Sequence, residues 1–172
     1  MRTASSRLAR GRVRETPGRY RVELPGPVYC DTSALIKLYV SEPGSDELNR
    51  LIEGRTDLFV SDLAVTEVIS AMARRLRRGE GTREDVRRIQ RAMTGSLDNG
   101  AYQRVELTRE VHRRAEHFLV TAEAPLRAAD ALHLAMAMSA RAASMMSFDA
   151  RLGAAAHAAG LAVYPAARNP RD

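Results

Sequence analysis

The chain has 172 residues, 45% of them hydrophobic, and a formal charge of +6, which suits one domain around a single core. No apolar run approaches the roughly 18 residues that span a bilayer, and the N-terminus lacks the apolar stretch of a secretory signal. A single cysteine, Cys30, excludes an internal disulfide, fits a reducing cytoplasm, and reads as a small core residue. The charge is uneven. Residues 1–26 carry seven arginines against two acids, so only +1 of the +6 belongs to residues 27–172. The segment 1–26 therefore reads as a basic, disordered extension or an early start, with an electrostatic arm for a polyanion as the alternative.

In chain order, Val28-Tyr29-Cys30 predicts a first strand, and a helix follows from Thr32 or Ser33 to Tyr39. Pro43-Gly44 breaks it, and Asp46 to Glu53 resumes it. Leu58 to Val60 is a second strand. Ser61 or Asp62 caps a helix to Arg78, stopped by Gly79 and Gly81. A helix from Thr82 to about Leu97, a strand from Tyr102 to Leu107 and a helix from Thr108 to about Ala122 come next. After Pro125 a very apolar helix spans Ala128 to Ala142. Ser144 to Phe148 is a fourth strand, Asp149 to Ala159 a short helix, Leu161 to Tyr164 a last strand, and a polar tail follows. Strands alternating with helices predict an α/β fold with a mostly parallel sheet and helices on both faces. Sites in such sheets lie beyond the carboxyl ends of the strands.

Four acids stand where charge is costly. Asp31 ends the first strand, Glu67 interrupts an apolar helix face, Asp130 opens the most apolar helix, and Asp149 follows the fourth strand. Each has an ordinary explanation. Asp31 and Asp149 are good helix caps, Asp130 suits a helix dipole, and Glu67 has Arg74 seven residues on for a salt bridge. His133, one turn after Asp130, reads as a hydrogen-bonded core histidine. Ser147 points to the same side as Asp149 and is placed to orient a carboxylate or a water. Taken together, four carboxylates from separate segments point to one shared site for a divalent cation. Without clustered Cys or His, oxygen ligands favour Mg2+ or Mn2+. Such a cation suits phosphodiester hydrolysis. Arg127, Arg151 and Lys37 are candidates for steering a phosphate backbone.

The ordered motifs, Val28 to Leu35, Ser61 to Glu67, Arg127 to His133 with its alanine-rich helix, and Ser147 to Leu152 followed by Gly160-Leu161, resemble the PIN domain. The resemblance is specifically to VapC-type toxin ribonucleases of toxin–antitoxin systems. It covers about residues 27–166, leaving a tail at 167–172. It implies a PIN-like three-layer α/β/α fold and an Mg2+- or Mn2+-dependent endoribonuclease. It also implies a cytoplasmic homodimer held in check by a cognate VapB-type antitoxin. By resemblance Asp31, Glu67, Asp130 and Asp149 are the four acidic, metal-binding positions. Ser33 supports the first acid, and Ser147 stands where the family often has threonine. Two other readings stay open: a non-catalytic RNA-binding scaffold, and a PIN nuclease without an antitoxin. The near-neutral charge of residues 27–172 and the 5% aromatic content weigh against the scaffold. A small-molecule metal phosphatase would want a phosphate cradle, and no Gly-rich loop of that type occurs.

Overall fold

The computed structural model describes residues 24–123 and 125–165. The expectations for the N-terminal extension up to residue 23 and for the tail at 167–172 lie outside these residues. Leu24 is buried, its carbonyl accepts from Arg55 Nη1 at 2.9 Å, and the Pro25 carbonyl accepts from the Ser144 hydroxyl.

Twelve elements alternate along the described chain. They are β1 (Val28–Cys30), α1 (Thr32–Tyr39), α2 (Ser45–Ile52), β2 (Leu58–Ser61), α3 (Asp62–Arg77) and α4 (Arg83–Asp98). Then come β3 (Gln103–Val105), α5 (Arg109–Thr121), α6 (Ala128–Ser139), β4 (Ser144–Met146), α7 (Ala150–Ala158) and β5 (Ala162–Tyr164). The five strands form one parallel sheet in the order β3-β2-β1-β4-β5. The chain winds outward from β1 through β2 to β3. It then crosses to the other side of β1 and winds outward again through β4 to β5. The reversal falls between β1 and β4, where the helices leaving adjacent strands diverge and open a crevice at the carboxyl edge.

β1 shows the layer logic most directly. All three of its residues are buried, as expected of a central parallel strand. Val28 and Cys30 face the core built with α1 to α4, while Tyr29 faces the core built with α5, α6 and α7. The period of two thus sends alternate residues into opposite helical layers. No helix among the described residues is long and apolar enough to cross a membrane.

Three elements differ from expectation at an end by two residues or more. β3 is three residues rather than six. Its Tyr102 instead lies before the strand, accepting from Tyr39 Oη at 3.3 Å and donating its backbone N–H to Ser96. β4 ends at Met146, two residues short of Phe148, and the chain turns at Ser147 to enter the site. α6 stops at Ser139, three residues early. Arg141 adopts a left-handed φ of 53°, and the Ala142 N–H bonds back to Ala137 O at 3.0 Å. Such a stop usually uses glycine, and here no glycine announces it.

Candidate active site

Asp31 leaves β1 in an extended conformation and caps α1, so its carboxylate is built from the strand–helix junction itself. It is only 3% exposed. Both oxygens are occupied. Oδ1 accepts from Ala34 N at 2.9 Å and Ser33 Oγ at 2.8 Å, and Oδ2 accepts from Ser147 Oγ at 2.7 Å. Ser33 Oγ in turn accepts the Phe148 N–H at 2.7 Å, and Asp31 N donates to Met146 O at 3.1 Å. The ends of β1 and β4 are therefore laced together around this one carboxyl. Burial raises its pKa above the ordinary aspartate value, and the donors from Ser147, Ala34 and Ser33 offset only part of that.

Glu67 lies on α3, one and a half turns from its start. Its Oε2 bonds to His133 Nε2 at 2.8 Å and accepts the Thr32 hydroxyl. The hydrogen bond from His133 is the main reason its pKa sits below the ordinary glutamate value. The Arg74 pairing weighed from sequence is absent among the described ion pairs. His133 is the partner, and Arg74 acts on Glu67 more weakly through space.

Asp130 and Asp149 are the simpler pair. Asp130 Oδ2 accepts from Arg127 N at 3.0 Å, closing the first turn of α6. Asp149 caps α7, with Oδ1 accepting from Arg151 N at 2.8 Å and Leu152 N at 3.2 Å. Among the described residues, no hydrogen bond reaches Asp130 Oδ1, Asp149 Oδ2 or Glu67 Oε1.

All four carboxylates line a single cavity of about 300 Å³, together with Arg74 and His133. Among the described residues, no three Asp, Glu, His or Cys side chains converge into a ready-made metal cage. A small hard cation keeps several of its waters and takes one or two carboxylates plus substrate phosphate rather than a closed protein shell. The donors are oxygens, three of them uncommitted, and the cavity is partly open to solvent. The chemistry of the donor set fits such an ion.

The PIN domain profile matches residues 28–158. Ribonuclease VapC45 of Mycobacterium tuberculosis (strain CDC 1551 / Oshkosh) is 37% identical over 145 residues, covering 83% of this chain and 98% of the relative. The chain belongs to the VapC family of PIN-domain ribonucleases. A second VapC relative, Ribonuclease VapC46 of strain H37Rv, is 33% identical over 138 residues, covering 79% of this chain and 95% of its own. The crystal structure of M. tuberculosis VapC20 shares the fold, with a TM-score of 0.61 at 18% identity, covering 78% of this chain and 95% of that one.

Against this VapC frame, the sequence-derived candidates separate. Asp31, Glu67, Asp130 and Asp149 are brought to one cavity, with Ser33 and Ser147 both bonded to Asp31. Lys37 is not free to steer a backbone. Its Nζ lies 3.3 Å from Glu42 and 3.0 Å from Pro43 O, above the Phe148 ring. Arg127 and Arg151 carry no ion pair among the described residues. Two contributors escaped the sequence reading, Thr32 and Tyr29. A tyrosine in a strand buried on both faces had one usable signal: its hydroxyl must find a partner inside.

Proposed function

We propose that the chain is the toxin of a toxin–antitoxin pair and hydrolyses RNA phosphodiester bonds with Mg2+ or Mn2+ held by Asp31, Glu67, Asp130 and Asp149. The observation that carries this reading is that four carboxylates line one cavity at the switch point of a parallel sheet. When bound, the cation supplies charge compensation at the phosphoryl oxygens and acidity for the attacking water. Asp31, fixed by donors on both oxygens, is the rigid anchor of the site. Asp130 and Asp149 each present one uncommitted oxygen from the start of a helix. Glu67, whose pKa lies low, stays an acceptor at neutral pH and orients the water for in-line attack, leaving a 5′-phosphate on one product. Arg74, the one guanidinium lining the cavity among the described residues, draws the phosphate in against the surrounding negative charge. The protein acts in the cytoplasm as a homodimer, silenced by a VapB-type antitoxin.

The test is cleavage of total cellular RNA by the purified protein with Mg2+, Mn2+ or EDTA, beside Asp31→Asn. Metal-dependent cutting that vanishes in the variant supports the reading, and the fragment ends identify the target. Equal cutting by both proteins would overturn the site. Growth arrest on expression, relieved by a small co-expressed neighbouring gene, would support the toxin role. Arrest that no neighbour relieves favours a stand-alone PIN nuclease.

A further inference from the structure

His133 is the only one of the four histidines that is buried, at 3% exposure, in the apolar middle of α6. Its two ring nitrogens face different partners. Nε2 meets Glu67 Oε2 at 2.8 Å, with Thr32 Oγ1 at 3.2 Å, and Nδ1 meets Tyr29 Oη at 2.8 Å. Tyr29 Oη lies 3.0 Å from Ser61 Oγ, and Ser61 Oγ accepts the Ala64 N–H as the cap of α3.

With Glu67 ionised and the ring neutral, a count of protons selects one tautomer. An ionised carboxylate only accepts, so Nε2 must carry a proton. In the neutral imidazole Nδ1 is then bare, and the Tyr29 hydroxyl at 2.8 Å donates to it when its one proton turns from Ser61, whose own hydroxyl then donates to Tyr29 Oη in exchange. The buried phenol is suited to this, because burial holds its pKa above the ordinary tyrosine value and keeps the proton on oxygen. Glu67 Oε2 is thereby filled by two donors, Thr32 and His133. Oε1 is left as its free oxygen.

We propose that His133, held in its Nε2–H tautomer by Tyr29, is a positioning residue that locks Glu67 so that only Oε1 serves the cation and its water. The inference rests on the reading of Glu67 as part of a cation site. The geometry reaches further than one side chain. Tyr29 comes from the strand that ends in Asp31, Ser61 caps the helix that carries Glu67, and His133 shares a helix with Asp130. One hydrogen-bonded chain thus ties together the three elements bearing three of the four acids. No buried side-chain polar atom among the described residues is left unpaired, so the chain has no slack.

The experiment is Mn2+ titration by calorimetry on the full chain, paired with RNA cleavage kinetics. The variants are His133→Asn, His133→Gln, Tyr29→Phe and Glu67→Gln. Asn can still meet Tyr29 but falls short of Glu67, whereas Gln extends an N–H to where Nε2 stood. His133→Asn should weaken Mn2+ binding and lower kcat by roughly 10- to 100-fold, as loss of a ligand-orienting partner generally does, with KM for RNA unchanged. His133→Gln should recover most of both, which a mere packing role would not predict. The Glu67→Gln/His133→Asn double variant should be no worse than Glu67→Gln alone. If His133→Asn does not fold, Tyr29→Phe decides. It should weaken Mn2+ binding and disturb the ring nitrogen shifts of His133 in 15N NMR. Wild-type affinity in folded His133→Asn, or in Tyr29→Phe with an unchanged tautomer, overturns the inference while leaving the site reading intact. If the wild-type protein binds no Mn2+, or Glu67→Gln binds it equally well, the site reading itself falls and takes this inference with it.

Discussion

Asp31 and Asp130 both sit at the start of a helix and line the same cavity, yet the molecule treats them oppositely. Asp31 is almost fully buried, with donors on both oxygens from three residues and two strand ends. Asp130 is half-exposed and closes only its own first helical turn. Burying a charge costs free energy even when it is hydrogen-bonded. The raised pKa of Asp31 is the mark of that cost. The fold has spent stability on one rigid anchor and left its partner as an ordinary helix-start residue.

Substitution by asparagine should break this comparison cleanly. Asp31→Asn should lower cleavage by at least about 100-fold, since the lost charge stabilisation is worth several kcal/mol. In EDTA at neutral pH the same variant should melt higher than wild type. A rise of about 2–4 °C corresponds to about 1 kcal/mol in a chain of this size. Asp130→Asn should lose comparable activity with no gain in melting temperature. It should instead lose a few tenths to about 1 kcal/mol, because an acid near a helix N-terminus is favourable. Cleavage assays beside calorimetric melts check both, and a lower melt for Asp31→Asn would refute the strain assigned to Asp31.

Ser147→Ala sharpens the comparison on the other side. It removes the shorter of the two hydroxyl contacts to Asp31 Oδ2, 2.7 Å against 3.0 Å from Ser33, without touching the carboxyl. Activity should fall roughly 10- to 100-fold. The metal-free protein should lose about 1 kcal/mol by urea unfolding, the usual worth of one hydrogen bond, because Ser33 Oγ at 3.0 Å still reaches Oδ2. The equivalent change beside Asp130 does not exist, because its one donor is a backbone N–H.

The smallest effect is in the pH dependence of metal-free stability. Asp31 has a folded pKa above its unfolded one, so its contribution is full below the ordinary carboxylate range and is lost as pH rises through the folded value. Glu67 has a folded pKa below its unfolded one. Its contribution is present above the ordinary glutamate range and is lost as pH falls through the folded value. Asp31→Asn should therefore flatten the decline on the alkaline side, and Glu67→Gln the decline on the acid side. Melting curves across pH in EDTA separate the two limbs.

Much of this was legible in the sequence because strand–helix junctions announce themselves. Asp31 and Asp149 each follow a short apolar run and precede a helix, and a parallel sheet places such residues on one edge. The end of α6 was not legible, because alanine carries no stop signal and the left-handed turn falls on Arg141. The Tyr29–His133 contact was not legible either. It joins residues 104 apart and depends on which layer each faces. The sequence shows that both are buried polar side chains, but the pairing exists only once β1 and α6 are packed. Lys37 misled for a similar reason: its charge is absorbed by Glu42 and Phe148, both brought in by the fold.

The strand order has a consequence in time as well as in space. β1 lies in the middle of the sheet, but β4, its neighbour on one side, is made more than a hundred residues later. Until Met146 and Ser147 leave the ribosome, Asp31 lacks the carbonyl that receives its N–H and the hydroxyl that steadies its side chain. A nascent chain that has already emitted three of the four acids therefore holds an open sheet edge and a scattered site. Long-range parallel pairing of this kind forms late and slowly. The cavity of four acids thus assembles only after residues 146 and 147 are made, and a ribosome stalled before residue 146 carries a chain whose Asp31 lacks its partners on β4.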